Sequence, residues 1–484
     1  MDRNTLLAFF LIALVLILTP KYMEMFSPKK ERSFLEKRTE NPAQEPTPSP
    51  IKEDLGLYNN TNNAIFSNSV QEKIITIENN LYIAKISSRN GGTFTSFSFK
   101  NYFDQDSQEV DIINPLEKEN LVLQIKNQNG SQVDLTKPWK YNGYFLGGSI
   151  KEETILNYSK EIHKGVFITK TISFYPDSYK ISCSIDASSV PRETLANEII
   201  FGWVGGLKST EKNIEDDFAY FQSYVFLGGE QEKLKVKPGK PEVKTYNGSV
   251  DWSAIRTKYF TLAILPKNPN LIQRSSLSGI IKKQETYSSL FSFRPEEKTV
   301  FDLYLGPLEY SRIKTLGREL DNIMDFGWAF VRPISKGVLY VLTEMHKYIP
   351  NYGFILILFS ILIKIIVYPL TKKSYQSTAA MQQIQPELTS IREKYKNNAQ
   401  KLNQAQMQLY KKRGVNPLGG CLPMLIQMPL LFALFIVFRT TIELRAEPFV
   451  WWITDLSTPD AVINLPFKIP IYGSHIAILP IFMV

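Results

Sequence analysis

The chain has 484 residues, enough for two or three domains. Its hydrophobic fraction is 44% and its mean hydropathy is −0.15, so any membrane segments must be confined and balanced by a large polar part. Only Cys183 and Cys421 are cysteines, and the three histidines have no metal-ligand spacing, which excludes a disulfide framework and a Cys/His metal site.

The net charge of +9 is concentrated in one stretch. Between residues 371 and 413 there are nine basic residues and only two acidic ones, Glu387 and Glu393, which gives this stretch a net charge of +7. The nine are Lys372, Lys373, Arg392, Lys394, Lys396, Lys401, Lys411, Lys412 and Arg413. Such a cluster could bind nucleic acid, but its position between two apolar spans favours a cytoplasmic loop under the positive-inside rule.

Residues 1–26 predict an N-terminal signal-anchor membrane helix. Asp2-Arg3-Asn4 precede the apolar run TLLAFFLIALVLILT, and no small-x-small cleavage site follows. A cleaved signal peptide is the alternative; in either case the next domain is exported. Residues 27–54 are Lys/Glu-rich and then Pro-rich, which is typical of a linker.

Residues 55–325 predict an exported, all-β sandwich domain. Short alternating runs such as GVFITKTISFYPDSYKISCSI are bounded by turn dipeptides, including Asn79-Asn80 and Asn90-Gly91. Residues 334–349, ISKGVLYVLTEMHKYI, then place apolar side chains at helical spacing, which favours an amphipathic helix in the membrane interface. The alternative is a simple extension of the following span, but Pro350 separates the two.

Two further segments are predicted to cross the membrane, at residues 353–371 and 418–440, because they contain predominantly apolar runs of eighteen residues (353–370) and twenty-one residues (418–438). The intervening residues 372–415 then form a cytoplasmic helical hairpin. Its apolar seam is predicted from Met381, Ile384, Leu388, Ile391 and Tyr395, then Leu402, Ala405 and Leu409. Its basic exterior is either a solvated face or a docking surface for polyanions or nascent chains.

Residues 441–473 are predicted to form a periplasmic loop, with Trp451 and Trp452 as an interfacial anchor. Residues 474–484 are predicted to begin a fourth membrane helix that is truncated here. The fold class is therefore a multi-pass α-helical membrane core with a cytoplasmic hairpin and a periplasmic β-sandwich.

Lys364 stands out because it is a charged residue inside an apolar span. A cation near the middle of a membrane helix costs ~2.5–3.5 kcal/mol and usually has a function. The alternative is snorkelling towards residue 371, about 10 Å away along the helix. Ser360 lies one turn earlier on the same face, and Gln427 is a polar group in the next span, so the three predict a hydrophilic groove.

Three stretches are specific enough to compare with known families: IKIIVYPLTKKSYQSTAAMQQIQPEL, GVNPLGGCLPMLIQMPLLFALF and IELRAEPFVWWITDLSTPD, with a weaker one, DWSAIRTKYFTLAILP, in the β-domain. They resemble the YidC/Oxa/Alb insertase family, and its Gram-negative members with a large periplasmic domain. The resemblance implies an inner-membrane protein with a hydrophilic groove whose cation, commonly Arg, is Lys364 here. Lysine keeps the charge but lacks the bidentate fork of arginine.

The resemblance also implies functional residues and partners. The hydroxyl of Ser360 would line the groove, and the side chains that contact substrate would be those of Tyr368, Pro369, Cys421, Met424, Met428, Pro429 and Phe432. The implied partners are nascent membrane proteins, the Sec translocon, the lipid bilayer and, through the basic hairpin, the ribosome. No cofactor, metal or catalysed reaction is implied, and no GxxxxGK[ST] nucleotide motif is present.

Two other functions stay open at this point. A membrane-anchored sugar-binding protein or epimerase is possible because large β-sandwiches occur in carbohydrate enzymes, but it would need clustered carboxylates and histidines in the β-domain. A small-molecule transporter is disfavoured, because the few spans show no inverted repeat.

Overall fold

The computed structural model describes residues 70–477, apart from 105, 116–118, 128–131, 192–194, 283–284, 295–297, 397, 416–421, 452, 459–460 and 470–472. The predicted signal anchor, the linker and residues 55–69 lie outside this range. So do residues 478–484.

The first part of the described chain is built almost wholly of strands. In chain order they are β1 Ile74–Glu78, β2 Tyr82–Ser87, β3 Thr93–Phe103, β4 Glu109–Asp111, β5 Leu121–Asn127, β6 Lys140–Tyr141, β7 Gly148–Ser149, β8 Thr154–His163, β9 Val166–Phe174, β10 Lys180–Asp186 and β11 Leu195–Trp203. After the short helix α1, Ile214–Phe218, come β12 Gln222–Leu227, β13 Glu230–Lys233, β14 Glu242–Asn247, β15 Trp252–Arg256, β16 Phe260–Pro266, β17 Ile272–Ile281, β18 Glu285–Phe293 and β19 Thr299–Pro307.

These strands form three packed sheets. A nine-stranded sheet has the order β13-β12-β15-β16-β19-β10-β9-β8-β6, and two five-stranded sheets have the orders β4-β3-β2-β1-β7 and β14-β17-β18-β11-β5. Strand pairing is antiparallel except between β1 and β7. The inward side chains of the sheets belong to one continuous apolar core, which includes Trp139, Trp203 and Trp252. The predicted all-β sandwich is confirmed.

The turns lie where the dipeptides predict them. Asn79 accepts hydrogen bonds from the backbone N–H groups of Leu81 and Tyr82, which closes the β1–β2 turn. Asn90 and Gly91 both have positive φ between β2 and β3, and a side chain at Gly91 would collide with the ring of Trp139. Glycine is therefore required there on both counts.

One strand carries a lysine into this core. On β9, Ile168, Lys170 and Ile172 alternate inwards, and all three are fully buried. The Lys170 ammonium donates to the carbonyl oxygens of Leu121, Asn90 and Gly92 at 2.9, 3.1 and 3.3 Å. An ammonium has three N–H donors, so its hydrogen-bonding capacity is filled.

Helices dominate the rest of the chain. They are α2 Tyr310–Thr315, α3 Arg332–His346, α4 Tyr352–Gln383, α5 Gln385–Lys394, α6 Ala399–Arg413 and α7 Leu422–Thr440, with short 3₁₀ turns at Pro269–Leu271, Leu320–Ile323 and Ile442–Leu444. Helix α3 packs on α7 and on α4 through Val338, Leu339 and Leu342, which are buried. It lies where the amphipathic helix is predicted, and Pro350 separates it from α4.

The boundary predicted between the second span and the hairpin differs from the structure. Helix α4 runs unbroken through Pro369 to Gln383, a length of about 48 Å, so residues 372–383 belong to the same helix as the predicted second span. No helix-breaking residue occurs there until Pro386, which has no backbone N–H to donate to the Gln382 carbonyl and whose ring would clash with that carbonyl in a continuous helix. The two helices that pair are α5 and α6, which bury Ile384, Leu388 and Leu409 against Met381 and Ile391.

The end of the described chain also differs from expectation. Residues 474–477, the described part of the predicted fourth membrane helix, lie in strand β21, Gly473–Ala477, which pairs with β20, Ala461–Ile469. The periodicity of a short apolar run does not distinguish a strand from a helix. Here the pairing with β20 determines that the segment is a strand.

Candidate functional site

Helix α4 contains a stretch suited to a bilayer. Among the residues that the structure describes, Tyr352–Pro369 is the one helical segment long and apolar enough to cross a membrane, with a mean hydropathy of 2.2 over 18 residues. Asn351 caps its start by accepting a hydrogen bond from the Phe354 N–H at 3.3 Å. Phe354, Ile357, Ile361 and Ile365 are exposed along it, so much of its surface is available to lipid.

Lys364 lies on an open face of this helix. Ser360, Lys364 and Tyr368 follow one another at intervals of one turn and all three are exposed, as is Pro369. Within the described part of the chain, the Lys364 ammonium has no ion-pair or hydrogen-bond partner. The structure therefore places the Ser360 hydroxyl, the Lys364 ammonium and the Tyr368 phenol in one stripe along the helix.

The predicted residues of α7 are only partly described. Gln427, Pro429 and Phe432 are half-buried, and Met428 is exposed. The ring of Phe432 packs against Trp328, with centroids 5.6 Å apart. Cys421 and the side chain of Met424 lie outside the described residues.

Helices α4 and α7 are in contact, but they do not bring all the polar groups together. No hydrogen bond joins Gln427 to Lys364 or Ser360 within the described ranges.

Several exposed aromatic side chains lie in and around α3 and in the loop after α7. Trp451 is 86% exposed and Tyr348 85%, and Trp328, Phe330 and Tyr340 are also exposed. Trp and Tyr prefer the membrane–water interface, so these side chains are suited to the bilayer surface. Trp452, the other predicted anchor, lies outside the described residues.

A second cluster, which the sequence patterns did not single out, joins the β-domain to the end of α7. We call the contact between residues 439–449 and the rest of the protein the junction. Arg439 pairs with Asp216 of α1 at 2.6 Å, and Asp216 also accepts from Lys258 at 2.8 Å. The two cations hold the pKa of Asp216 below its ordinary value, although burial of the carboxylate opposes them.

Arg445 is the most deeply buried cation of the junction, with 4% of its side chain exposed. Its guanidinium donates to Glu211 Oε1 at 2.8 Å, to the Phe103 carbonyl at 2.8 Å and to the Thr210 carbonyl at 3.5 Å. The sequence carries one sign of this site, the segment Ile442-Glu-Leu-Arg directly after an apolar span. Its two charged residues alternate with isoleucine and leucine, and charges among buried apolar side chains need partners.

Helix α4 also contributes to the junction at its first turn. A side chain at Gly353 would collide with the ring of Phe449, so the loop after α7 lies directly against the start of α4. Asn351 donates from its amide to the Pro448 carbonyl at 3.2 Å. The β-domain, α3, α4 and α7 therefore meet at one place.

Family models match nearly all of the described chain. Residues 74–338 match the model of the YidC periplasmic domain, and residues 344–484 match that of the 60Kd inner membrane protein. The boundary between the two matches falls within α3.

Curated relatives match over the full length of the chain. A membrane protein insertase YidC from Chlorobium phaeovibrioides is 36% identical over 100% of this chain and 85% of that protein. Those from Chlorobium limicola and Chlorobium luteolum are 34% and 35% identical, over 100% of this chain and 84% and 85% of theirs.

Among solved structures, a galactose mutarotase-like protein from Lactobacillus casei covers 48% of this chain and 99% of its own at 10% identity and a TM-score of 0.30. That similarity is too low to assign a ligand to the β-domain. The relatives and the two family models, in contrast, agree over nearly all of the described chain. The chain therefore belongs to the YidC family of membrane protein insertases.

Proposed function

We propose that this protein inserts nascent segments into the bacterial inner membrane through a hydrophilic groove that contains Lys364. The observation that carries the proposal is the exposed stripe of Ser360, Lys364 and Tyr368 on an otherwise apolar membrane helix. Lys364 has no carboxylate partner among the described residues, so its charge is available to a substrate.

The proposed topology is multi-pass. The basic residues after Pro369 lie in the cytoplasm, the β-domain and the junction lie in the periplasm, and α4 and α7 cross between them. The exposed aromatic residues in and around α3 and in the loop after α7 support this arrangement, because they then lie at the periplasmic surface of the bilayer.

In the proposed mechanism the hydrophilic flank of a nascent segment enters the groove from the cytoplasm. The ammonium of Lys364, the hydroxyl of Ser360 and the amide of Gln427 replace part of its hydration, which lowers the cost of dehydrating polar groups. The apolar part then passes into lipid along Tyr368, Pro369, Cys421, Met424, Met428, Pro429 and Phe432. Burial of apolar surface at ~25 cal/mol per Å² drives that step, and no bond is made or broken.

The partners proposed for this protein are nascent membrane proteins, received alone or beside the Sec translocon. The ribosome is the proposed partner of the α5–α6 hairpin. Basic side chains of the hairpin, among them Lys394, Lys411 and Lys412, are exposed, while Arg413 pairs with Glu387 at 2.5 Å.

The groove is tested by replacing Lys364 in a strain depleted of its own insertase. We expect Lys364→Ala to slow insertion of a substrate with an acidic flank roughly 10–100-fold, because a charge-assisted hydrogen bond contributes ~1.5–3 kcal/mol. Lys364→Arg should retain activity, and a substrate with a neutral flank should be affected less. Insertion is measured by protease protection of the translocated flank.

Lys347→Ala is the matched control, since Lys347 is an exposed lysine at the end of α3 whose one ion pair with a described residue is to Glu344. If Lys364→Ala inserts the acidic substrate as fast as the wild type and the Lys347 control, the groove charge has no part in insertion.

The ribosome contact is tested by changing Lys394, Lys411 and Lys412 together to Gln. Affinity for ribosomes at physiological salt should fall on the order of tenfold, and its dependence on salt should weaken, because fewer counterions are released. Sedimentation with ribosomes at several salt concentrations measures both.

The control for that experiment removes the same charge from the β-domain, as Lys235, Lys237 and Lys240 to Gln, which are also exposed. Equal loss of binding in the two triple variants would show a non-specific charge effect and would remove the hairpin from the proposal.

A further inference from the structure

The junction contains an acidic residue placed among apolar ones. Glu443 lies in the 3₁₀ turn Ile442–Leu444 directly after α7, and its neighbours Ile442 and Leu444 are 3% and 2% exposed. Both neighbours pack into the same apolar core as Val338 of α3 and Tyr352 of α4. This turn therefore anchors the helices to the β-domain.

Glu443 as a whole is half-buried, but one of its two carboxyl oxygens is closed off from water. Its Oε2 is buried and has no hydrogen-bond partner among the described residues, and no described lysine, arginine or histidine pairs with the carboxyl. An unpaired buried carboxylate is costly, whereas the neutral acid is tolerated far better. Burial raises the pKa of Glu443 to about 7, and the nearby Glu309 adds to the rise, while the backbone N–H of Glu443 itself opposes it.

The surrounding charged and titratable groups come from every element packed at this point. Glu309, before α2, is paired with Arg312 at 2.5 Å, and Tyr102 of β3 lies within electrostatic reach of Glu443. From the helices come Tyr352 of α4 and His346 of α3, whose rings stack 4.1 Å apart. From the loop after α7 come Arg445 and Glu447.

None of these groups supplies a compensating cation to Glu443. Arg445 is directed to Glu211 and Arg312 to Glu309. The His346 Nδ1 is buried and, like Glu443 Oε2, has no hydrogen-bond partner in the described chain. Glu447 is itself an acid and carries no positive charge in either protonation state; burial raises its pKa, with His346 opposing the rise.

We propose that Glu443 makes the junction a proton-dependent latch, closed when its carboxyl is neutral and loosened when the carboxyl ionises. A loosened latch lets the ends of α3, α4 and α7 move relative to the β-domain. Acidity on the β-domain side thereby controls how firmly the groove helices are held. The latch is inferred from the residues packed around Glu443. The further statements, that this side faces the periplasm and that the groove is affected, rest on the proposed function.

The sign of the effect follows from proton linkage. The closed junction binds a proton at Glu443 with a pKa of about 7, and an opened junction restores a value near the ordinary 4.5. Stability of the closed state is therefore greatest below pH 4.5, falls as the pH rises from 4.5 to about 7, and is constant above that range.

Hydrogen exchange of the full chain in detergent tests the latch, with Glu443→Gln as an isosteric mimic of the neutral acid. At about pH 4, below both pKa values of Glu443, the variant and the wild type should exchange equally at the junction. At about pH 8.5 the wild-type junction should exchange roughly 100–1,000-fold faster than the variant, while β8, β9 and β10 exchange equally in both. Comparing the two proteins at the same pH cancels the chemical effect of pH on exchange.

His346→Asn is the second variant, because imidazoles change charge between about pH 5 and 8. The proposal stands if the pH effect disappears in Glu443→Gln and persists in His346→Asn. It is overturned if Glu443→Gln exchanges like the wild type at both pH values, or if the effect disappears with His346 instead. No substrate is present, so the result is independent of whether Lys364 acts in insertion.

Discussion

Arg445→Ala is expected to loosen the β-domain from the helices by ~3–5 kcal/mol, the cost of breaking a buried ion pair by removing one partner. The substitution removes three hydrogen bonds and leaves Glu211, whose side chain is 16% exposed, without its cation. Chymotrypsin should then cleave the segment around residues 446–458 much faster. The thermal unfolding midpoint in detergent should fall as well.

Arg439→Ala is the matched control at the same junction. The Arg439 side chain is 46% exposed and pairs with Asp216, so screening by solvent limits its contribution to about 1 kcal/mol or less. A combined Glu211→Gln and Arg445→Ala variant should recover part of the loss, because the unpaired buried charge is then gone. Equally mild effects of Arg445→Ala and Arg439→Ala would show that the buried Arg445–Glu211 pair does not hold the β-domain to the helices.

Lys170→Met is expected to destabilise the β-sandwich by about 3 kcal/mol. Methionine fills a similar volume but leaves three buried carbonyl oxygens without a donor, each at a cost of about 1 kcal/mol or more. For a domain of this size the unfolding midpoint should drop by roughly 5–10 °C, as followed by circular dichroism in the β region.

Burial lowers the pKa of Lys170 to about 8, with Cys183 and Glu119 opposing the shift. Lys170→Met therefore removes a buried titratable amine together with its hydrogen bonds. Lys180→Met on the neighbouring strand is the control, because Lys180 is 37% exposed and pairs with Asp302 at 2.9 Å. It should change stability by no more than about 1 kcal/mol. A similar loss in both variants would show that the carbonyl contacts of Lys170 are not the cause.

The Lys364 stripe and the Glu443 latch separate two questions about the same helices. Lys364 concerns what a substrate meets on the exposed face of α4, whereas Glu443 concerns how firmly that helix is held at the junction. A variant of either residue can therefore fail without affecting the test of the other.

Local patterns in the sequence determined much of the architecture. Alternation in runs such as β9, and turn dipeptides such as Asn79-Asn80, depend on residues close together in the chain, so the sandwich and its turns could be predicted. The stripe of Ser360, Lys364 and Tyr368 follows from helical spacing alone, and the family motifs from consecutive residues.

Only the tertiary structure decided the features that depend on distant partners. In the sequence nothing distinguishes Lys170 from the other lysines; only the packing of its strand brings its ammonium to three carbonyl groups. Arg445 and Glu211 form an ion pair although they are 234 residues apart in the sequence. The strand at Ser474 is decided by its pairing with β20, and the unsatisfied carboxyl of Glu443 by four elements packing around it. The physical reason is that burial and pairing depend on which segments meet in space, and spacing along the chain does not encode this.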